Sequence, residues 1–287
     1  MILAIVGPTG VGKTKMSVEL AKAYNAIIIN CDAMQVYKDL NIGTAKVTEE
    51  EKQGIEHHLF DIREVTEEYS VFDYQKDARR LIEENKDRNI IFVGGTGLYL
   101  KAALYDYRFN QEESNNNTYE DLTNEDLYEL ALKKDPKVNI HPNNRVRLVR
   151  FLNKTNTENI EPIPLYEHKI IGLTTKRENL YDRINKRVDT MVEEGLLEEA
   201  KSFYDKGIKT KPLMGGIGYK ELYDYFDNTV ILEEALDKIK QNSRHYAKRQ
   251  YTFFNNQMDV KWFDVDYNNF DNTIKKVKDY IENNSNN

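Results

Sequence analysis

An apolar run, Met1-Ile-Leu-Ala-Ile-Val6, leads directly into Gly7-Pro-Thr-Gly-Val-Gly-Lys-Thr14, and an amphipathic stretch from Thr14 to Tyr24 follows. Few sequence features restrict a fold more. Gly7, Gly12, Lys13 and Thr14 occupy every defined position of the phosphate-binding pattern G-x-x-x-x-G-K-[ST], and a buried strand before it with a helix after it is the context such a loop needs. Glycines let successive backbone N–H groups turn inward, and the helix N-terminus adds partial positive charge. Lys13 supplies a mobile cation, and the Thr14 hydroxyl is a candidate ligand for Mg2+. The whole loop (Gly7, Pro8, Thr9, Gly10, Val11, Gly12, Lys13 and Thr14) is expected to cradle a polyphosphate. It does not reveal what the phosphate is attached to.

The sequence beyond the loop alternates strand and helix signals. Ala26-Ile-Ile-Ile-Asn30 reads as a second buried strand that delivers Asp32 just past its carboxyl end. Thr48-Glu-Glu-Glu51 has the form of a capping box, and Ser70 to Asp73 caps a helix whose apolar face is Val71, Tyr74, Ala78, Leu81 and Ile82. His57 to Ile62 suits either a strand or an extended connection. Ile90 to Val93 is a third buried strand, ending in Gly94-Gly-Thr-Gly97 and a helix to Leu104. Such repetition predicts an α/β fold, a P-loop NTPase-like parallel sheet flanked by helices. Ligands of open sheets of this kind sit outside the carboxyl ends of the strands. Three loops should therefore converge: Gly7 to Thr14, Asp32 to Gln35, and Gly94 to Gly97. The third strand carries no acid at its end, where a P-loop ATPase would hold its magnesium. That leaves Asp32 available as a base.

From Asp106 the character changes. Residues 110–124 are polar, acidic and asparagine-rich, and a modest helix around Thr123 to Lys134 follows. The expected organisation is a core from 1 to 106, a small mainly helical insertion from 107 to 140, and the rest of the core from 141 to 287. A helix beginning near Asn143 or Asn144 carries Arg147 and Arg150 on one face. Glu161-Pro-Ile-Pro164 reads as a linker and Lys169 to Leu173 as a strand. Helices are expected over Arg177 to Val192, Leu196 to Tyr204 and Leu232 to Phe254, with a tight turn at Gly215 to Gly218, and Val260 to Val265, a last helix and an asparagine-rich tail at the end.

The net charge of −7 argues mildly against bulk nucleic-acid binding, but Lys238 to Gln250 holds five Lys or Arg and no acid. Lys240, Arg244 and Lys248 recur every four residues and predict a basic stripe suited to a phosphate backbone. No apolar run approaches the ~20 residues of a membrane span, and no signal peptide is visible. Cys31 is the sole cysteine, and the histidines show no paired ligand spacing. The reading is a cytoplasmic protein with no membrane partner.

Eight short motifs occur in order: Gly7 to Thr14, Asp32-Ala-Met-Gln-Val-Tyr37, Asn41-Ile-Gly-Thr-Ala-Lys46, His58-Leu-Phe-Asp-Ile62, Gly94-Gly-Thr-Gly-Leu-Tyr99, His141-Pro-Asn143, Ile217-Gly-Tyr-Lys220 and Arg244-His-Tyr-Ala-Lys-Arg-Gln250. Over most of Met1 to Phe254 the chain resembles the bacterial isopentenyl-tRNA transferase family, the tRNA dimethylallyltransferases. The resemblance implies transfer of a dimethylallyl group from its diphosphate to the N6 amine of the adenine 3′-adjacent to the anticodon (position 37). It further implies Mg2+ as cofactor, the tRNA anticodon stem-loop as partner and a monomeric enzyme. Asp32 matches the family's base and Thr96 its threonine beside the reacting groups. Asp32, Ala33, Met34 and Gln35, with Val146, Arg147 and Arg150, match its tRNA-contacting stretches. The sequence departs from the pattern at Ala33, where the family usually has Ser, at Asn144, where it has Asp, at Phe253, where it has Trp, and at Gly215, where it has Gln or Arg. Lys211, Lys220 or Arg244 are candidates to compensate for Gly215. A P-loop small-molecule kinase, prenylation of free AMP, and a non-catalytic RNA-binding module remain the alternatives.

Overall fold

The structure, a computed structural model, describes residues 1–109, 119–153 and 162–284. Much of the polar stretch at 110–124, the start of the expected 161–164 linker and the end of the asparagine-rich tail lie outside the described residues.

The chain begins β1 (Ile2–Val6), α1 (Lys13–Tyr24), β2 (Ala26–Asn30), α2 (Glu49–Lys52), β3 (His57–His58), α3 (Val71–Glu84), β4 (Asn89–Val93) and α4 (Gly97–Leu104). After α5 (Asn124–Lys134) and α6 (Arg145–Asn153) come β5 (His168–Thr174), α7 (Arg177–Glu193), α8 (Leu196–Tyr204), α9 (Lys211–Gly215) and α10 (Tyr219–Phe226). The 26-residue α11 (Leu232–Gln257), β6 (Lys261–Asp264) and α12 (Phe270–Asn283) complete it. The expected elements are present, and the capping boxes at Thr48, Ser70 and Thr123 all form. Two short helices were not expected. α9 and α10 flank the turn at Gly216 to Gly218, where a Pro at the start of one and a glycine start to the other masked the helical period.

The strands form one six-stranded sheet in the order β3-β2-β4-β1-β5-β6, parallel throughout. Side chains alternate between its faces, as a pleated strand requires. From β1 and β2, Leu3, Ile5 and Ile28 pack with Met16, Leu20, Val277 and Ile281 of α1 and α12. Ala4, Val6, Ile27 and Ile29 face the larger core built from α3, α4, α8, α10 and α11. With both faces covered, the strands read as unbroken apolar runs. No helix among the described residues is long and apolar enough to cross a membrane.

Two compact units result: Met1–Tyr105 with Pro164–Asn287, and Asp106–Ile163. The expected boundary after residue 140 falls inside the second unit. The reason is packing: α6 turns Leu148 onto Leu127 and Ala131 of α5, so the two helices share one small core. Arg145 reinforces it by donating to the carbonyls of Leu122 and Tyr119, both at 2.6 Å. Lys134 caps α6 through the Leu152 carbonyl at 2.7 Å.

A core this small is sensitive to one deletion. Leu127→Ala is expected to cost roughly 2–4 kcal/mol. Because the unit is compact in itself, hydrogen exchange should accelerate in α5 and α6 while the sheet amides keep their protection.

Candidate active site

β2, β4 and β1 are neighbours in the sheet, so the loops leaving their carboxyl ends meet. Together with α7, α10 and α11 they enclose a cavity of about 1020 Å3. Thr9, Gly10, Gly12, Lys13 and Thr14 line it on one side; Asp32, Ala33, Met34 and Gln35 on another; Gly94 and Thr96 between them. The convergence expected at the carboxyl ends of the strands is what the fold delivers.

The phosphate loop is closed by its own lysine: Lys13 Nζ donates to the carbonyls of Gly7 at 3.0 Å and Pro8 at 2.8 Å. Gly12 starts α1 with φ of 97°, a left-handed conformation that a side chain resists. Burial pushes the Lys13 ammonium down to about 8; the nearby Arg187 adds to this and Asp32 opposes it. Not every residue of the motif reaches the cavity. Gly7, Pro8 and Val11 are buried and do not line it; Val11 packs in the α1 core. The Thr9 amide is also engaged, donating to Gln250 Oε1 at 3.2 Å. The N–H groups from Gly10 to Thr14 are thus the ones left for a phosphate.

Asp32 is held by a turn that its neighbour builds. The fully buried Asn30 side chain accepts from the Asp32 amide at 2.9 Å and donates to the carbonyls of Asp32 at 3.0 Å and Leu59 at 2.9 Å. The Asn30 carbonyl in turn accepts from the Tyr74 hydroxyl at 2.9 Å. Asp32 Oδ1 accepts from the Met34 amide at 2.9 Å. Thr96 stands at the head of α4 but does not cap it; its Oγ1 accepts from the Ala33 amide at 3.1 Å and its amide donates to the Cys31 carbonyl at 3.0 Å. The Tyr246 hydroxyl lies beside the Thr96 side chain, and burial raises its pKa. Cys31 lies beside all this, but burial pushes its thiol up to about 12, so it is inert as a nucleophile.

Sequence reasoning missed three groups that complete the cavity. The first is a basic wall on α7. Arg183, Lys186 and Arg187 line the cavity, joined by Arg249 of α11. Arg183 Nε donates to the Gly10 carbonyl at 3.0 Å and its guanidinium lies over the Tyr267 ring at 3.9 Å. Arg187 Nε is buried without a hydrogen-bond partner among the described residues. Burial lowers the Arg187 pKa, while Glu51, Asp32 and Glu194 oppose the shift. A buried, underpartnered guanidinium is costly unless an anion joins it. The α7 period showed Leu180, Ile184 and Val188 facing the core, but the strip beside them gave no sign that it would meet the phosphate loop.

The second group is Glu199, whose carboxylate accepts three consecutive amides, Asn41 at 2.9 Å, Ile42 at 2.8 Å and Gly43 at 3.0 Å, and the Tyr219 hydroxyl at 2.7 Å. It fixes the Asn41–Lys46 segment as a cavity wall; Gln35 Nε2 secures the same segment from inside by donating to the Thr44 and Ala45 carbonyls at 3.0 and 3.2 Å. The third is Gln250, which is nearly fully buried between the phosphate loop and the Gly94–Gly97 turn.

The basic stripe of α11 needs correction. Lys240 is ion-paired to Asp189 at 2.6 Å, and Arg244 donates to Asn185 Oδ1 at 2.6 Å, both on α7. Helix packing turns that part of the stripe inward, while Lys248 stays exposed. Gly215 does line the cavity, and a Cβ there would meet no atom within 4 Å. Neither Lys211, Lys220 nor Arg244 is among the lining residues, so the positive charge comes from α7 instead. In the second unit, Val146, Arg147 and Arg150 lie exposed on α6.

For a metal, no group of three or more His, Cys, Asp or Glu among the described residues offers a site. The cavity presents the Thr14 hydroxyl and, across it, Asp32. This sparse oxygen set fits Mg2+, which keeps several waters and takes further oxygens from substrate phosphates.

Comparison with known proteins places the chain in a family. A family model described as IPP transferase matches residues 35–257. The chain is 47% identical to a tRNA dimethylallyltransferase of Anoxybacillus flavithermus, over 98% of this chain and 96% of that one, and 46% identical to one from Halalkalibacterium halodurans over the same shares. Among solved structures, it is similar to the full-length tRNA isopentenylpyrophosphate transferase from Bacillus halodurans (TM-score 0.78, 45% identity, covering 98% of this chain and 95% of that one). It is also similar to a eukaryotic dimethylallyltransferase acting on tRNA (TM-score 0.83, 28% identity, 98% and 79%). The sheet with its phosphate loop is a P-loop NTPase-like fold. The chain belongs to the IPP transferase family.

The Asn30 turn is directly testable. Asn30→Leu keeps the branched shape but strips partners from one amide and two carbonyls, so a loss of roughly 2–3 kcal/mol is expected in chemical denaturation. Turnover should fall with it, because the Asp32 backbone loses its anchor.

Proposed function

We propose that this protein transfers a dimethylallyl group from dimethylallyl diphosphate to the N6 amine of the adenine 3′-adjacent to the tRNA anticodon, releasing diphosphate. The observation that carries the reading is the pairing, in one cavity, of a phosphate loop walled by Arg183 and Arg187 with a carboxylate, Asp32, at the end of β2, one strand beyond β4 in the sheet. The names of the relatives, tRNA dimethylallyltransferases and tRNA isopentenylpyrophosphate transferases, support the same chemistry.

In this mechanism the C–O bond of the allylic diphosphate breaks and the diphosphate leaves with the electron pair. The negative charge that develops there is met by Lys13, the Gly10 to Thr14 amides, and the Arg183 and Arg187 guanidiniums. Mg2+, held by Thr14 and the diphosphate oxygens, would offset part of that charge when bound. The N6 lone pair, weakened by delocalisation into the adenine ring, forms the new C–N bond. Asp32 orients the amine and takes one N6 proton; its Oδ2 is the oxygen we assign, since Oδ1 already accepts the Met34 amide. Thr96, with Tyr246, is assigned to hold the reacting oxygen between the two loops. Glu199 and Gln35, by fixing the Asn41–Lys46 segment, keep the wall against which the adenine, turned out of its stack, would rest.

The target base sits in an RNA loop, so the protein must also hold a phosphate backbone. We assign that role to Lys248 and Arg249 on α11, to the Asp32–Gln35 turn through Ala33 and Met34, and, in the second unit, to Val146, Arg147 and Arg150. RNA of this kind is read by loop shape and splayed bases. A cytoplasmic monomer suits that task.

The decisive assay is incubation with labelled dimethylallyl diphosphate, Mg2+ and unmodified tRNA; label should appear in RNA. Label in free AMP, or phosphate transfer from ATP without prenyl transfer, would overturn the reading. Asp32→Ala is expected to lose roughly 10²–10⁴ in turnover, the scale of a general base, with normal turnover removing Asp32 from the role. Lys248→Ala should weaken tRNA binding and flatten its salt dependence by about one unit of slope, whereas Lys240→Ala, which only frees Asp189, should leave the slope unchanged.

A further inference from the structure

Gln250 occupies a position that the chemistry above does not use. It is 4% exposed, and its two amide atoms bond two different loops. Oε1 accepts from the Thr9 amide at 3.2 Å, on the phosphate loop. Nε2 donates to the Gly95 carbonyl at 3.1 Å, on the turn that carries Thr96. Thr96 in turn bonds the Ala33 amide beside Asp32. One side chain therefore ties the diphosphate half of the cavity to the base half.

The surrounding sequence makes room for it. A Cβ on Gly95 would overlap Gln250 Nε2, and a Cβ on Gly97 would overlap the Phe253 ring. Glycine at these two positions lets α11 lie directly on the turn. Thr96, between them, is the side chain left pointing at the Asp32 loop. Tyr246 and Arg249, on the same stretch of α11, reach the cavity itself.

Resting on the prenyl-transfer reading, we propose that Gln250 is a positioning residue that sets the distance between the leaving diphosphate and the attacking amine, and so decides whether the allylic carbon is captured by N6 or by water. Breaking the C–O bond depends chiefly on the groups that meet the diphosphate, most of them in the phosphate loop and on α7. Forming the C–N bond depends on the register between that loop and the Asp32 turn, and reaction at a bound pair is steeply sensitive to such register. When the register slips, water adds through its oxygen to the same carbon, its proton passes to solvent, and the diphosphate leaves with the C–O electron pair. The products are then dimethylallyl alcohol and diphosphate instead of prenylated RNA and diphosphate.

The test uses the full-length protein with dimethylallyl diphosphate, Mg2+ and unmodified tRNA, measuring diphosphate released and prenyl group transferred in parallel. Wild-type protein should release one diphosphate per prenyl group transferred. Gln250→Ala should lower the rate of transfer by roughly 10–100-fold, the effect of small misplacement, while diphosphate release falls less, so that the ratio rises above about two and dimethylallyl alcohol appears. KM for dimethylallyl diphosphate should change less than about threefold, since the cradle is intact. Gln250→Glu separates the two bonds: it retains an acceptor for the Thr9 amide and removes the donor to Gly95. It should uncouple the reaction as Gln250→Ala does.

A ratio that stays at one in both variants overturns the proposal, whether turnover is normal or lost together with thermal stability. So does a Gln250→Glu variant that remains fully coupled, because a single bond to the phosphate loop would then be enough. Failure of the wild-type protein to prenylate tRNA at all would instead sink the functional reading, and is recognised before any variant is made.

Discussion

Three parallel strands, β2, β4 and β1, end side by side at a point where only backbone fits. The Cys31 amide donates to the Val93 carbonyl at 2.7 Å, the Gly94 amide to the Ile5 carbonyl at 3.3 Å and the Thr96 amide to the Cys31 carbonyl at 3.0 Å. A side chain on Gly94 would overlap the Cys31 carbonyl. Each loop that leaves this point begins inside another loop's hydrogen bonds, so the phosphate cradle, the Asp32 turn and the Thr96 turn are built as one object. Preorganisation of this sort is what a developing charge needs, because no group must reorient as the bond breaks.

Charge is distributed to match. The protein carries a net −7, yet Lys13, Arg183, Lys186, Arg187 and Arg249 gather on one cavity against Asp32, Glu51 and Glu194. The overall negative field keeps the surface from binding polyanions indiscriminately, and the local positive field concentrates attraction at the site of chemistry. Arg187 expresses the cost most directly, since its buried Nε has no partner among the described residues. A diphosphate bound there, as proposed above, would relieve that cost.

Side-chain carboxylates and amides bonded to backbone groups take up much of the positioning. Glu199 gathers three amides and a tyrosine hydroxyl to make one wall; Asn30 holds both ends of the Asp32 turn; Gln250 spans two loops. Each is satisfied by backbone groups in segments far from it in sequence or across a tight turn. Such a contact has no sequence period and no local pattern. The α7 wall and the inward turn of Lys240 and Arg244 were hidden for a related reason: a helix shows its apolar face in its spacing, but which polar flank meets a neighbour depends on the crossing of two helices.

What the sequence by itself determined is local. The phosphate loop, the three strand ends, Asp32 just beyond one of them, the capping boxes and the parallel α/β class all follow from spacing, glycine placement and apolar runs, since these are properties of neighbours along the chain. Tertiary structure alone decided which motif residues face the cavity, why Pro8 and Val11 do not, and that α6 joins α5 in a separate core around Leu148. It also decided that Arg183, Arg187, Glu199 and Gln250 belong to the site. Those outcomes rest on contacts between segments up to 241 positions apart, and a packing surface of that kind exists only once the sheet has brought the loops together.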